Sequence, residues 1–103
     1  NITVDDLDNV EVPAAFTPDL DGSNDRLHVF GDEGIRITSF RIYNRWGAVV
    51  YSDSNFETNN LGIGWDGTYN GQDAPRDSYT WTLEYIVRSG RVEVSSGQTI
   101  LIR

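Results

Sequence analysis

The chain of 103 residues is acidic, with 16 Asp and Glu against 8 Lys and Arg, for a formal net charge of -8. Such a charge argues against nucleic acid as a partner, because backbone phosphates would be repelled. The absence of cysteine excludes a disulfide framework and thiolate chemistry, and no apolar run approaches the ~20 residues of a membrane-spanning helix. The length fits a single domain with its own core, and we expect a monomer.

The pattern along the chain predicts an all-β protein, because aromatic and β-branched residues abound and Gly recurs at short intervals. Residues 1–9 are interpreted as an acidic linker and residues 10–103 as the folded domain. The first predicted strands are Val10 to Phe16, Arg26 to Phe30 and Ile35 to Arg45. The third is expected to contain a bulge near Thr38 and Ser39. A hairpin tip at Arg45-Trp46-Gly47 then leads into a strand from Val49 to Ser52. A long irregular connection with a short strand near Trp65 to Tyr69 is expected to follow.

The second half of the chain carries the clearest alternation. Apolar residues occupy every second position from Tyr79 to Val87 and predict a strand with one aromatic and aliphatic face. After a turn at Ser89-Gly90, the apolar residues again fall on every second position or a multiple of it, at Val92, Val94, Ile100 and Ile102. They therefore share one face, which indicates either paired final strands or one long strand with a break. About seven short strands favour an immunoglobulin-like antiparallel β-sandwich.

An acidic loop suggests a metal site early in the chain. Asp19, Asp21, Asn24 and Asp25 surround Gly22, and Ca²⁺ prefers such a set of carboxylate and amide oxygens. An EF-hand is excluded, because its twelfth loop position falls on Phe30 rather than on a Glu. The alternative is a metal-free turn in which Asp and Asn side chains accept hydrogen bonds from nearby backbone N–H groups.

The aromatic and basic side chains offer candidates for binding. Trp46, Trp65 and Trp81 could form a sugar-stacking platform, although core packing is the expected role of most of them, with Trp65 the expected exposed exception. Arg41, Tyr43 and Arg45 alternate along one predicted strand and so share a face. They are either solvent-side residues paired with carboxylates or a docking patch for a partner.

Catalysis finds little support in the sequence, and we expect no enzyme. His28 is the one imidazole and lies between apolar residues of a predicted strand. No Gly-x-Ser-x-Gly elbow is present. Asp66 with Asp73 or Asp77 could imitate a glycosidase carboxylate pair, but all three lie in turn-forming sequence.

Several segments resemble, in the same order, the gliding-motility-associated C-terminal domain, which is the type B C-terminal domain of proteins exported by the type IX secretion system of Bacteroidetes. They extend from about Val10 to Arg103 and include Phe16-Thr17-Pro18, Asp21-Gly22, Asn24-Asp25, Phe40-Arg41-Ile42-Tyr43-Asn44-Arg45-Trp46-Gly47 and Gly64-Trp65-Asp66-Gly67-Thr68-Tyr69-Asn70-Gly71. The chain departs from the pattern at Asp19-Leu20, where Asn-Gly is common, and at Asp77, where a Gly is usual and a left-handed backbone is therefore expected.

The resemblance implies a sorting signal that directs a parent protein through the periplasm and across the outer membrane to the cell surface or the medium. The expected partners are the type IX translocon and an associated outer-membrane protein, which would recognise a folded module. One hypothesis is that a partner strand extends an exposed sheet edge formed by the last residues, Thr99, Ile100, Leu101, Ile102 and Arg103. The alternatives are a calcium-dependent carbohydrate-binding module and a structural adhesin-type module.

Overall fold

The structure, a computed structural model, describes residues 9–18 and 26–102. Within these ranges the secondary structure consists of strands, and no helix is long and apolar enough to cross a membrane. In chain order the strands are β1 (Val10–Glu11), β2 (Ala15–Phe16), β3 (Phe30–Gly31), β4 (Arg36–Tyr43), β5 (Val49–Asp53), β6 (Phe56–Glu57), β7 (Thr68–Tyr69), β8 (Gln72–Asp73), β9 (Ser78–Ile86) and β10 (Val92–Leu101).

A large sheet of six strands has the order β2-β10-β9-β4-β5, and β6 also pairs with β4. Its pairs are antiparallel except that β2 runs parallel to β10. The central hairpin of β9 and β10 closes where the Val87 N–H donates to the Arg91 carbonyl, and Gly90 there has φ +92. Glycine adopts this left-handed backbone without strain, which suits a three-residue hairpin loop.

Smaller elements form a second layer over one face of the large sheet. They are the ribbon of β1 with β3, the ribbon of β7 with β8, and an antiparallel bridge between Leu27 and Trp65. The buried side chains of both layers form one hydrophobic cluster. The predicted all-β, sandwich-like fold is therefore confirmed, with a second layer that is divided into short pieces.

The aromatic ridge predicted along β9 supplies much of this core. Tyr79, Trp81 and Leu83 point into it and are almost fully buried, as is Val87 just after the strand ends, whereas Tyr85 is half-buried. Burial of one such large side chain contributes about 1.5–3 kcal/mol relative to leaving it in water. The period of two seen in the sequence thus identifies the side of β9 that stabilises the fold.

A tyrosine corner joins the start of β9 to the chain before it. The Tyr79 hydroxyl donates a hydrogen bond of 2.6 Å to the carbonyl of Pro75, four residues upstream. The Tyr79 ring also packs edge-on against Trp65, with centroids 4.9 Å apart, and Trp65 contacts Phe16 at 5.4 Å. Such a corner is a hallmark of immunoglobulin-like sandwiches.

Two expectations about the strands are confirmed, and a third is corrected. The register of β4 against β9 shifts between Ile37 and Ser39, where a bulge was predicted. A hairpin turn at Arg45-Trp46-Gly47 connects β4 to β5, and the Asn44 N–H donates to the Ala48 carbonyl across it. The final segment was expected to be paired strands or one strand with a break, but it is one continuous strand, and its register with β9 is unbroken from Val92 to Ile100.

Two predicted strands were wrong in extent. The segment from Val10 to Phe16 is divided into β1 and β2, which pair in different sheets. Pro13 lies between them, and proline has no N–H to donate to a ladder. Arg26 to Phe30 is not one strand either, because Leu27 makes only the isolated bridge and β3 begins at Phe30.

Candidate recognition surface

The second face of the large sheet, which we call the open face, carries mostly polar side chains. It is formed by residues of β4, β9 and β10 that point away from the core, and no described residue packs a second layer over it. Shallow depressions cross this face. On β4 and the turn after it they are lined by Arg41, Tyr43 and Arg45. On the neighbouring strands they are lined by Thr80, Thr82, Glu84, Val94, Ser96 and Gln98.

The strand register brings the three predicted docking residues to this face. Arg41 lies opposite Thr82, and Tyr43 lies opposite Thr80. Arg45 belongs to the following turn and lines the same depression as Tyr43. Arg41 is exposed and makes no ion pair or side-chain hydrogen bond with the residues that the structure describes. Its guanidinium is thus available to an incoming group.

Arg45 makes two contacts beside the turn. Its Nε lies 3.2 Å from the carboxylate of Asp77, and its guanidinium carbon lies 5.5 Å from the ring centroid of Trp46. Both charged side chains are partly exposed, so the ion pair adds little to stability. The pair places the Arg45 side chain next to the indole.

Asp77 differs from the expectation drawn from the family pattern. A left-handed backbone was expected there, but among the described residues the non-glycine positions with positive φ are Asn55, Asn59 and Asn70. One Asp77 oxygen accepts a hydrogen bond from the Ser78 N–H, and the other pairs with Arg45. The carboxylate therefore acts as a turn cap and as an anchor for the arginine.

Trp46 projects from the tip of the hairpin and is 77% exposed. The Asn44 side-chain oxygen accepts hydrogen bonds of 3.0 Å from the N–H groups of both Trp46 and Ala48, and Gly47 has φ +84. This turn chemistry is visible in the sequence as Asn followed three residues later by Gly. The exposure of the indole is not, because tryptophan is mostly buried in small sandwiches.

Trp65 is the opposite case, and the expectation that it is the exposed tryptophan was wrong. It is 1% exposed, and its indole N–H donates to the carbonyl of Thr68 at 2.9 Å.

The following Asp66 accepts hydrogen bonds from the hydroxyl and the N–H of Thr68, at 2.7 and 3.1 Å. The Thr68 hydroxyl is the main cause that lowers the pKa of Asp66. A turn role is therefore confirmed for Asp66.

The last residues do not form the free edge that the sequence suggested. Thr99 and Leu101 are fully buried, and the Thr99 hydroxyl donates to the Pro13 carbonyl at 2.9 Å. On the outer side, the N–H groups of Ile100 and Ile102 donate to the carbonyls of residues 14 and 16, beside and within β2. The edge from Thr99 to Ile102 is thus already paired, because β2 occupies it. Arg103 lies outside the described residues.

The acidic loop with Asp19, Asp21, Asn24 and Asp25 also lies outside the described residues. Within the described ranges, no group of three or more His, Cys, Asp or Glu side chains is arranged to hold a metal ion. The hypothesis of a calcium site on that loop therefore stays a prediction from the sequence.

His28 has a structural contact. Its Nδ1 lies 2.9 Å from the Ile63 carbonyl, which requires that this nitrogen carry the proton and donate. The ring packs edge-on against Phe30 at 5.8 Å. The imidazole thereby ties the segment before β3 to the loop that leads to Trp65.

Comparison with known proteins agrees with the resemblance noted in the sequence. A family model described as the CHU_C type IX secretion signal domain matches residues 10–101. No curated protein matches the chain. The match extends from β1 to the last residue of β10, so it includes both layers of the sandwich and the open face. The chain belongs to the family of type IX secretion signal domains, which direct export across the outer membrane towards the cell surface or the medium.

Proposed function

We propose that the export signal is read as a folded surface, on the open face and at the hairpin tip that borders it. The proposed partners are the type IX translocon and an associated outer-membrane protein. The observation that carries the proposal is the exposed Trp46, which lies beside Arg45 and next to the depression that contains Tyr43. Tryptophan, tyrosine and arginine are the residue types that most often dominate binding energy at interfaces.

Local contacts at this corner favour binding. The backbone around Trp46 is fixed by the Asn44 side chain, and Arg45 is restrained by both Asp77 and the indole. Ordering a flexible side chain on binding costs about 0.5–1.5 kcal/mol, and much of that cost is avoided where the side chain is already held. A partner would therefore meet a turn whose backbone is already ordered by the Asn44 side chain.

Arg41 extends the surface towards the middle of the sheet. In a chain with a net charge of -8, an exposed arginine without a described partner offers a specific contact for a carboxylate. Glu84 lines the same depression and supplies the opposite charge. Such a pattern of both signs favours one orientation of the partner more than it adds affinity.

The domain is proposed to act by binding, as a single copy and without catalysis. The carboxylates of Asp66 and Asp77 and the imidazole of His28 are each engaged in a local structural contact. These contacts support a role in shaping turns rather than in proton transfer. The route through the periplasm, with folding before recognition, is part of the same proposal.

The test is export of an inert periplasmic reporter fused to the full chain, in a host that carries the type IX system. We expect the fusion to reach the medium or the cell surface and Trp46→Ala to reduce its export about tenfold or more, which corresponds to about 1.4 kcal/mol of binding. The matched control is Leu61→Ala, since Leu61 is another large apolar side chain that is 64% exposed. Equal export of the unfused reporter would contradict the proposed function.

A further inference from the structure

The outer edge of β10 is paired over only part of its length. β2 pairs with it at Ile100 and Leu101, in parallel orientation. The preceding chain then turns away at Pro13, and β1 joins the other layer. Among the described residues nothing pairs with the stretch from Val92 to Gln98 on that side. Within the described part of the chain, an edge of seven residues is therefore open, in line with the strand that already occupies its end.

The hydrogen bonds at the end of β10 indicate which backbone groups this edge presents. The N–H groups of Ile100 and Ile102 point outward to β2, whereas the Leu101 N–H donates inward to the carbonyl of Asp77. In a strand, successive residues direct their N–H and C=O groups to opposite sides. By this alternation the outward groups of the open stretch belong to Val92, Val94, Ser96 and Gln98.

The edge lacks the features that usually prevent strand addition. It contains no proline or lysine, and its register with β9 is unbroken. Glu93 is its one charged side chain, and it is paired with Arg91. Val92 and Val94 are 56% and 74% exposed on the open-face side of the edge. Apolar side chains in water beside unpaired backbone groups are the features that a partner strand would cover.

The opposite edge of the sheet is less suited to the same purpose. β5 has only five residues, and its register with β4 shifts between Ile42 and Tyr43, so the edge is irregular. β7 lies against β5 as well. The two edges thus differ in length, regularity and access, and β10 is the better template.

Building on the proposed function, we propose that an extended segment of the secretion machinery pairs with β10 from Val92 to Gln98 and continues the line of β2. Its side chains on the open-face side are aliphatic and cover Val92 and Val94. The segment is neutral or basic, because the chain carries a net charge of -8 and a second copy would be repelled. The backbone pairing supplies affinity and the two valines supply selectivity for the segment.

A pair of substitutions at one position tests the backbone contact. Ser96→Pro removes one outward N–H and leaves the ladder to β9 intact, since proline is tolerated on edges where the N–H faces solvent. Ser96→Ala changes the side chain and keeps the N–H. In the reporter fusion of the full chain, we expect Ser96→Pro to lower export about tenfold relative to Ser96→Ala. Equal export of the two variants overturns the proposal, provided that their melting temperatures are similar.

A second pair of variants decides the matter if Ser96→Pro does not fold. Val94→Lys leaves the backbone unchanged and places a charge where aliphatic contact is proposed. Val49→Lys is the matched control, because Val49 is an exposed valine on β5, the other edge strand. We expect export to fall for Val94→Lys and to persist for Val49→Lys. The reverse result, or equal export, assigns no role to β10.

Direct evidence comes from amide hydrogen exchange of the wild-type chain with the purified, detergent-solubilised type IX translocon as the probe. The proposal requires slower exchange at Val94, Ser96 and Gln98 when the translocon is added. Unchanged exchange overturns it, as does a concentration-dependent dimer of the chain alone that Ser96→Pro abolishes. If the wild-type fusion itself is not exported, the proposed function is wrong. If every edge variant is exported at the wild-type level, only the proposed pairing at β10 is wrong.

Discussion

The indole of Trp81 lies directly over Gly97 on the neighbouring strand. A β-carbon built at position 97 would be 2.7 Å from Cζ2 of the indole, a separation that real β-carbons essentially never show, and 3.0 Å from Cε2. The two residues are register partners in the β9–β10 ladder, and Trp81 is almost fully buried. The absence of a side chain at residue 97 therefore creates the space that the largest side chain of β9 occupies.

Gly97→Ala is accordingly expected to destabilise the domain by about 1–3 kcal/mol, the usual cost of overpacking a core. The measurement is the midpoint of urea unfolding. Ser96→Ala is the control, because residue 96 is the exposed neighbour on the same strand. A Gly97→Ala midpoint equal to that of the control would show that the indole can move aside without loss.

Tyr79→Phe tests the tyrosine corner. The substitution removes only the hydroxyl that donates to the Pro75 carbonyl and keeps the ring in the core. We expect a loss of about 1 kcal/mol, because a part-buried hydrogen bond is removed. Tyr69→Phe, at a tyrosine that is 39% exposed, should cost much less. The measurement is the melting temperature of the two variants. An equal decrease in both would show that the Tyr79 hydrogen bond adds no special stability.

The packing of Trp81 on Gly97 also shows what the sequence pattern could and could not predict. The alternation along β9 identified the buried face, because that strand carries its large apolar residues on one side. On β10 the alternating apolar residues Val92, Val94 and Ile100 lie on the exposed side instead. Alternation alone indicates which residues share a face, and on the inward face of β10 it is the glycine at position 97 that leaves room for the indole.

The other departures have similarly non-local causes. The break between β1 and β2 follows from Pro13, but the choice of a different sheet for each piece depends on where β10 ends. The burial of Trp65 depends on Phe16 and Tyr79, which are distant in the sequence. The exposure of Trp46 depends on the lack of any described element above the hairpin tip. By contrast, the turn at Asn44 to Gly47 was predictable because its chemistry is local.

The calcium hypothesis leads to a prediction that needs no knowledge of the loop conformation. If Asp19, Asp21, Asn24 and Asp25 bind Ca²⁺, the ion stabilises the folded state by mass action, by about 2.7 kcal/mol at a hundredfold excess over the dissociation constant. The melting temperature should rise with calcium and fall with a chelator. Asp21→Asn should weaken that response. A melting temperature that changes with neither calcium nor the chelator would contradict the calcium hypothesis.

Tyr51 should make stability depend on pH at the alkaline end. Burial and the neighbouring carboxylate of Asp53, which accepts its hydroxyl hydrogen bond at 3.2 Å, raise the pKa of Tyr51 from 10.0 to about 12. Because the folded state holds the proton more tightly than the unfolded state, this contribution is fully present below pH 10 and is lost as the pH rises through about 12. The chain has no cysteine or lysine, so tyrosines dominate titration in this range.

Urea unfolding of the wild type and of Tyr51→Phe across that pH interval measures the effect. Tyr51→Phe removes the titrating group and keeps the ring that packs against Phe40, with centroids 5.8 Å apart in the wild type. We expect the decline in stability between pH 10 and about pH 12 to be shallower in the variant. Tyr69→Phe serves as the comparison at a more exposed tyrosine. Parallel declines for the wild type and Tyr51→Phe would mean that the Tyr51 proton is held no more tightly in the folded chain than in the unfolded one.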